Sequence, residues 1–268
     1  MMKNFFIAFT VLCLLNNFST ATFSNVQSVK IGSMEVFSLV DARSEAPVSL
    51  LIGATDEQIA QYIPTGKLKS QILAFLVKTP DGNFLFDTGL GTAKGGKMSE
   101  ALKDIGVSSS DIGTIFLTHL HPDHFGGLVD NGGAAFSNAE IYVSKIEKDW
   151  WLNEKKDENV KFALELYKDK LHTFNFGDTL LNLVTAIDTS GHTPGHTAFH
   201  IKRDDGELLV VGDILHFAEI MLSLPEIAVV YDVDPVKAPK ARKFILDMAA
   251  EKNIAIAGMH FPVPGLWK

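Results

Sequence analysis

Apolar and polar positions alternate in short runs through the first third of the chain. Val29–Ile31, Met34–Val40, Gln71–Lys78 and Phe84–Asp87 have the length and the aromatic or β-branched content of strands, and Asp81-Gly82 between the last two is a hairpin signal. The period then changes. Ser99–Ile105 reads as a helix, Thr114–Thr118 and Ala139–Ser144 as short buried strands, and 145–170 as helical with mixed charge. Val184–Asp188, Ala198–Ile201 and Leu208–Gly212 supply the strands of a second sheet. Ala241, Phe244, Ile245, Met248 and Ala249 recur at helical spacing and predict an amphipathic helix over Lys240–Glu251. Asp234-Pro235 offers an earlier start, and Pro239 is expected to kink or restart the helix. Asn253–Met259 makes the last strand, and no Ser-rich linker interrupts the pattern, which predicts one domain with sheets inside and helices outside.

The opening segment follows a different rule. Lys3, the apolar run Phe5–Leu15, Asn16-Asn17 and the small residues Ser19-Thr20-Ala21 predict a signal peptide over 1–21, followed by a single domain over 22–268 and export to the periplasm or the exterior. The run is too short to span a bilayer, so no stable membrane anchor is expected. Cys13 is the only cysteine, and cleavage after Ala21 would leave a chain without a thiol nucleophile or thiolate ligand. With 46% hydrophobic residues the chain can bury a sizeable core, and a net charge of −8 without a basic block argues against nucleic acid as a partner.

Two patterns compete for the chemistry. Gly91-Thr92-Ala93-Lys94-Gly95-Gly96-Lys97-Met98 nearly fits a phosphate-binding loop, but Met98 stands where a hydroxyl is needed, and these glycines are expected to form a flexible loop. The stronger pattern is His119-Leu120-His121-Pro122-Asp123-His124, directly after a buried strand. Neutral imidazoles with carboxylates suit zinc and similar ions, and a turn can aim these side chains at two neighbouring points. Gly191-His192-Thr193-Pro194-Gly195-His196, Gly212-Asp213 and Met259-His260 also lie at strand ends, where a sheet sandwich can bring them to the same edge.

These segments, with Phe86-Asp87-Thr88-Gly89 and Val211-Gly212-Asp213, resemble the metallo-β-lactamase fold superfamily over roughly residues 30–260. Gly212–His216, Asp232-Val233-Asp234-Pro235 and Gly258–Pro262 look most like its methyl parathion hydrolase and quorum-quenching lactonase branch. The resemblance implies an α+β fold, a four-layer αβ/βα sandwich in one domain, and two divalent metal ions, zinc being the expected pair. It places His119, His121 and His196 on one ion, Asp123, His124 and His260 on the other, and Asp213 between them, with a bridging hydroxide as nucleophile. Asp123, Asp213 and His216 are the catalytic candidates. His216 stands near where some lactonases carry a substrate-binding tyrosine, with a structural histidine as an equal alternative.

The resemblance makes Asp87 the acceptor that orients a ligand histidine, where the residue by itself also reads as a turn cap. His192 reads as a loop brace, and His172 and His200 as bystanders. The substrate implied is a small neutral ester, a lactone of the acyl-homoserine type or a phosphotriester, because few cations stand near the motifs to clamp an anion. Trp150, Trp151, Phe217, Met221 and Phe261 are candidates to wall an acyl pocket. A glyoxalase-like thioesterase, a β-lactamase and a non-catalytic metal- or ligand-binding protein are the alternatives, and a homodimer stays open. Only residues 261–268 follow His260, which predicts a thinly braced edge there.

Overall fold

The computed structural model describes residues 25–268; the signal peptide expected over 1–21 lies outside the described residues. One sheet has seven strands, in the order Val26–Ile31, Met34–Pro47, Lys67–Thr79, Gly82–Phe86, Thr114–Phe116, Glu140–Ser144 and Leu171–Phe174. The second has six: Thr179–Leu180, Val184–Asp188, Thr197–Arg203, Gly206–Val210, Ala255–Ala257 and Leu266–Trp267.

The side-chain period of two explains how these sheets stack. Along Leu73–Val77, residues 73, 75 and 77 enter the core between the sheets, whereas Ala74 and Leu76 enter the core under the outer helices. Phe84 and Phe86 likewise face inward and Leu85 outward, and in the second sheet Leu208 and Val210 face inward and Leu209 outward. Strands buried on both faces read as nearly continuous apolar runs. Met98–Asp104 and Glu158–Glu165 cover one outer face, and Ala218–Met221 and Lys237–Lys252 cover the other. The result is the four-layer αβ/βα sandwich that the sequence implied.

Several local expectations are corrected. The 145–170 segment is not one helix: Lys145–Asp149 passes into a π-helical turn over Trp150–Lys155, Lys156 adopts a left-handed φ of 51°, and Asp157 caps a new helix at Glu158. Pro239 does not kink the final helix, because it lies in the first turn of Lys237–Lys252, where a missing N–H costs nothing. The glycine loop at 91–98 is tied down rather than loose. A register shift between Val40 and Ala42 turns the Asp41 carboxylate inward, where it accepts from the backbone N–H groups of Leu90 (2.7 Å) and Met98 (2.8 Å). Gly96 is required there, since a Cβ would lie 2.6 Å from that carboxylate. The edge at His260 is braced from both sides, because Leu266–Trp267 pairs antiparallel with Ala255–Ala257.

Strand direction positions the site. Gly82–Phe86, Thr114–Phe116 and Glu140–Ser144 run parallel, as do Gly206–Val210 and Ala255–Ala257. Val184–Asp188 shares the direction of Gly206–Val210, since both pair antiparallel with Thr197–Arg203. The loops leaving these strands therefore gather at one edge of the sandwich.

Candidate metal centre

That edge collects Asp87, the 119–124 turn, Glu147, His192, Asp213 and His260. His119, His124 and His192 are buried, and the centre opens outward at the partly exposed His121 and Asp123. The short helix Pro122–Phe125 begins with a proline in its first position, and this turn sends Asp123 and His124 away from His121.

Hydrogen bonding on the outer side of each ring determines what faces inward. His124 Nδ1 lies 2.7 Å from Asp87 Oδ2, and His192 Nδ1 lies 2.9 Å from Asp232 Oδ1. A carboxylate only accepts, so each Nδ1 carries the proton and each Nε2 presents a lone pair. Thr118 Oγ1 donates to Asp87 Oδ2 and must accept from His119 Nδ1 at 3.0 Å, which leaves His119 Nε2 bare. His260 Nδ1 donates to the Gln71 carbonyl, with the same result.

The bare nitrogens converge on carboxylate oxygens. Asp213 Oδ2 lies 3.0 Å from His260 Nε2, 3.2 Å from His124 Nε2, 3.4 Å from His192 Nε2 and 3.7 Å from His119 Nε2. His124 Nε2 and Asp213 Oδ1 are buried with no hydrogen-bond partner. Lone pairs facing lone pairs repel unless a cation stands between them, so the donor set fits divalent metal.

The potential ligands fall into two groups that share no residue, His119, His121 and His192 with Asp213, and Asp123, His124 and His260; a third set, Asp213, His216 and His260, draws on both. His121 Nδ1 lies 3.0 Å from His119 Nε2 and 2.9 Å from His192 Nε2, while Asp123 Oδ2 lies 3.5 Å from both His124 Nε2 and His260 Nε2. Asp213 reaches the nitrogens of both groups and is placed to bridge.

The assignment of His196 as a ligand is overturned. Its Nε2 accepts from the Asp213 backbone N–H at 2.9 Å, and its Nδ1 lies 2.8 Å from Thr189 Oγ1, so neither nitrogen is free. It packs beneath Gly212, where a Cβ would lie 2.5 Å from the His196 Nε2. His192, read from sequence as a brace, stands in the cluster instead. The signal that separates the two is Asp232, whose partnership with His192 spans 40 positions and leaves no local trace. Asp87 does orient His124, and the bystanders lie elsewhere: His172 pairs with Glu140 and His200 with Glu207.

Electrostatics agree with a cation site. Burial holds His119 well below the usual histidine range and His121 down to about 3, keeping them neutral as ligands must be. Burial also opposes charge on His124 and His260, but the neighbouring carboxylates, Asp213 foremost, outweigh it and raise both. Asp213 resists its own burial through His124, His260, His119 and His216 and is held well below the carboxylate range.

His216 Nε2 lies 3.2 Å from Asp213 Oδ2, its ring stacks 4.8 Å from that of His260, and its buried Nδ1 has no partner. Burial lowers it to about 4. Of the aromatic and sulfur side chains expected to wall a pocket, Phe217, Met221 and Phe261 are core residues. Trp151 is also buried but sits edge-on to His121, with ring centroids 5.6 Å apart. Tyr231, which sequence reasoning passed over, is 47% exposed with its ring 5.9 Å from His216.

The metallo-beta-lactamase superfamily model matches residues 69–260. An N-acyl homoserine lactonase of Bacillus cereus is 29% identical over 176 residues, 55% of this chain and 65% of that protein, so the chain spans just under two thirds of this relative's length. A second, from Bacillus thuringiensis, is 29% identical over 184 residues, 58% of this chain and 68% of the relative. Among solved structures, AidC, described as a dizinc quorum-quenching lactonase in complex with a product, superposes with a TM-score of 0.83 at 28% identity, covering 90% of this chain and 92% of that one. The hydrolase AbOPH of the beta lactamase superfamily superposes with a TM-score of 0.83 at 29% identity, covering 91% and 93%. The stretch that matches contains every ligand of the two groups and nearly all the strands that carry them, and the chain belongs to the metallo-beta-lactamase superfamily.

Proposed function

We propose that this chain is a two-metal hydrolase that opens lactones of the N-acyl homoserine type. The observation that carries the reading is the inward-facing set of bare imidazole nitrogens around Asp213, each with its outer nitrogen already committed. His119, His121 and His192 would hold one zinc ion and Asp123, His124 and His260 the other, with Asp213 within reach of both groups. Such a pair, when bound, supplies activation of water near neutral pH and polarisation of the substrate carbonyl. The rest is done by the chain itself. Asp123, at the open rim, steers the attacking water. His216, when neutral, has one N–H; carried on Nδ1, which has no partner among the described residues, it would be donated to the oxygen that becomes negative as the ring opens. Tyr231 offers an apolar ring edge to an acyl chain leaving the centre.

Support for the lactone class comes from relatives described as lactonases, together with a net charge of −8 that disfavours anionic substrates. The deciding experiment pairs metal analysis with a hydrolysis panel of acyl-homoserine lactones, a phosphotriester, a thioester and a β-lactam. Near two zinc ions per chain and lactones turned over fastest are expected. Active protein without metal, or a β-lactam preferred over every lactone, overturns the reading. We further propose export with cleavage after Ala21, so that amino-terminal sequencing of the recovered protein begins at Thr22; an intact Met1 in a cytosolic pool contradicts it.

A further inference from the structure

Glu147 is a fully buried carboxylate with no cation beside it, and neither the ligand groups nor the proposed chemistry uses it. A buried carboxylate is costly unless its lone pairs are satisfied. Here they are: Oε1 accepts from the Leu120 N–H (3.0 Å) and the Trp151 indole N–H (2.7 Å), and Oε2 accepts from Thr193 Oγ1 (2.7 Å) and the Gly195 N–H (2.9 Å). Three of the four partners, the two backbone N–H groups and the indole N–H, can only donate, so both carboxylate oxygens are held as acceptors. Leu120 lies between His119 and His121, and Thr193 follows His192. One side chain therefore ties together the two turns that carry this ligand group. Gly195 has no Cβ because one would lie 2.2 Å from the Glu147 backbone nitrogen, so the second turn rests directly on the helix that presents Glu147.

We infer that Glu147 is a positioning residue that sets the spacing between the 119–121 turn and His192, so that the zinc held by His119, His121 and His192 depends on it. The zinc held by Asp123, His124 and His260 does not, because that group has its own supports in Asp87 and Gln71. The inference rests on the two-metal reading above.

Zinc affinities of the full chain, measured by competition with a chelator, test it. Glu147→Gln keeps the volume but sets an NH2 group against groups that also donate. One of the two zinc ions should weaken by about 10–100-fold while the other holds. Thr193→Val, which removes one bond to the second turn, should weaken the same ion less. In a His192→Ala background, adding Glu147→Gln should shift the remaining zinc by less than about twofold. Equal weakening of both ions, or unchanged zinc binding with only a lower Tm, overturns the inference. If Glu147→Gln does not fold, Thr193→Val decides it in the same way. Wild-type protein that binds fewer than two zinc ions defeats the two-metal reading itself, a result separable from all of these.

Discussion

The two halves of the metal centre are built by different rules. Asp123 and His124 come from one tight turn, and the carboxylate that orients His124, Asp87, ends the strand paired next to the one preceding that turn. The other half draws His119 and His121 from the same turn, and each half is completed across the sandwich, one by His192 and the other by His260. What differs is where the supports stand: Asp232, in a loop, and Glu147, on the short helix Lys145–Asp149, brace the His192 half, whereas His260 leans on the Gln71 carbonyl of the strand Lys67–Thr79 and His124 on Asp87 next to Gly82–Phe86. Supports carried by a loop and a short helix can shift without disturbing either sheet, whereas supports on or next to a strand move only with the sheet.

The largest expected effect removes what the halves share. Asp213→Ala should abolish most lactone hydrolysis and bring metal content well below two per chain by elemental analysis, because both groups lose their common carboxylate. Retained stoichiometry would show that the halves are independent.

Next comes the pair that separates ligand from support. His192→Ala should lose one metal, whereas His196→Ala should keep both and lose about 1–3 kcal/mol of stability by thermal or denaturant unfolding, since it leaves the buried Asp213 N–H without an acceptor. Exchange of these two outcomes would restore the ligand assignment implied by family resemblance.

Asp87→Asn probes the half whose supports stand on the first sheet. Asp87 has a φ of 58°, which asparagine also tolerates, so the backbone is spared and only the acceptor for His124 is weakened. Activity or metal affinity should fall about 10–100-fold in folded protein. A lower Tm with unchanged turnover in the folded fraction would instead make Asp87 a turn cap.

The smallest effect lies at the rim, outside both halves. The rate constant kcat/KM should rise with acyl length across a lactone series, and Tyr231→Ala should flatten that rise by up to about tenfold, the equivalent of about 1.4 kcal/mol of lost contact. A slope unchanged by the substitution would place the acyl chain elsewhere.

What the sequence by itself determined was whatever depends on near neighbours. Short apolar runs bounded by turn residues specified the strands, the 119–124 turn announced a metal centre, and Asp213 and His260 stood out as acidic or imidazole groups at strand ends. Strand limits near Val184–Asp188 were legible because turn residues bound them, but the 145–170 segment hid its π-helical turn, since mixed helical spacing does not record where a backbone underwinds. The choice between His192 and His196 belonged to the tertiary structure alone. Both sit in the same Gly-His-Thr-Pro-Gly-His stretch, and an imidazole becomes a ligand only when its second nitrogen finds an acceptor that leaves the first one bare and facing inward. For His192 that acceptor is Asp232, brought up by the opposite end of the 189–232 segment; for His196 both nitrogens are consumed by Thr189 and the Asp213 backbone. Glu147 was invisible for the same reason: a buried carboxylate is recognised by the donors around it, and its donors are gathered from turns that meet only when the two sheets close on each other.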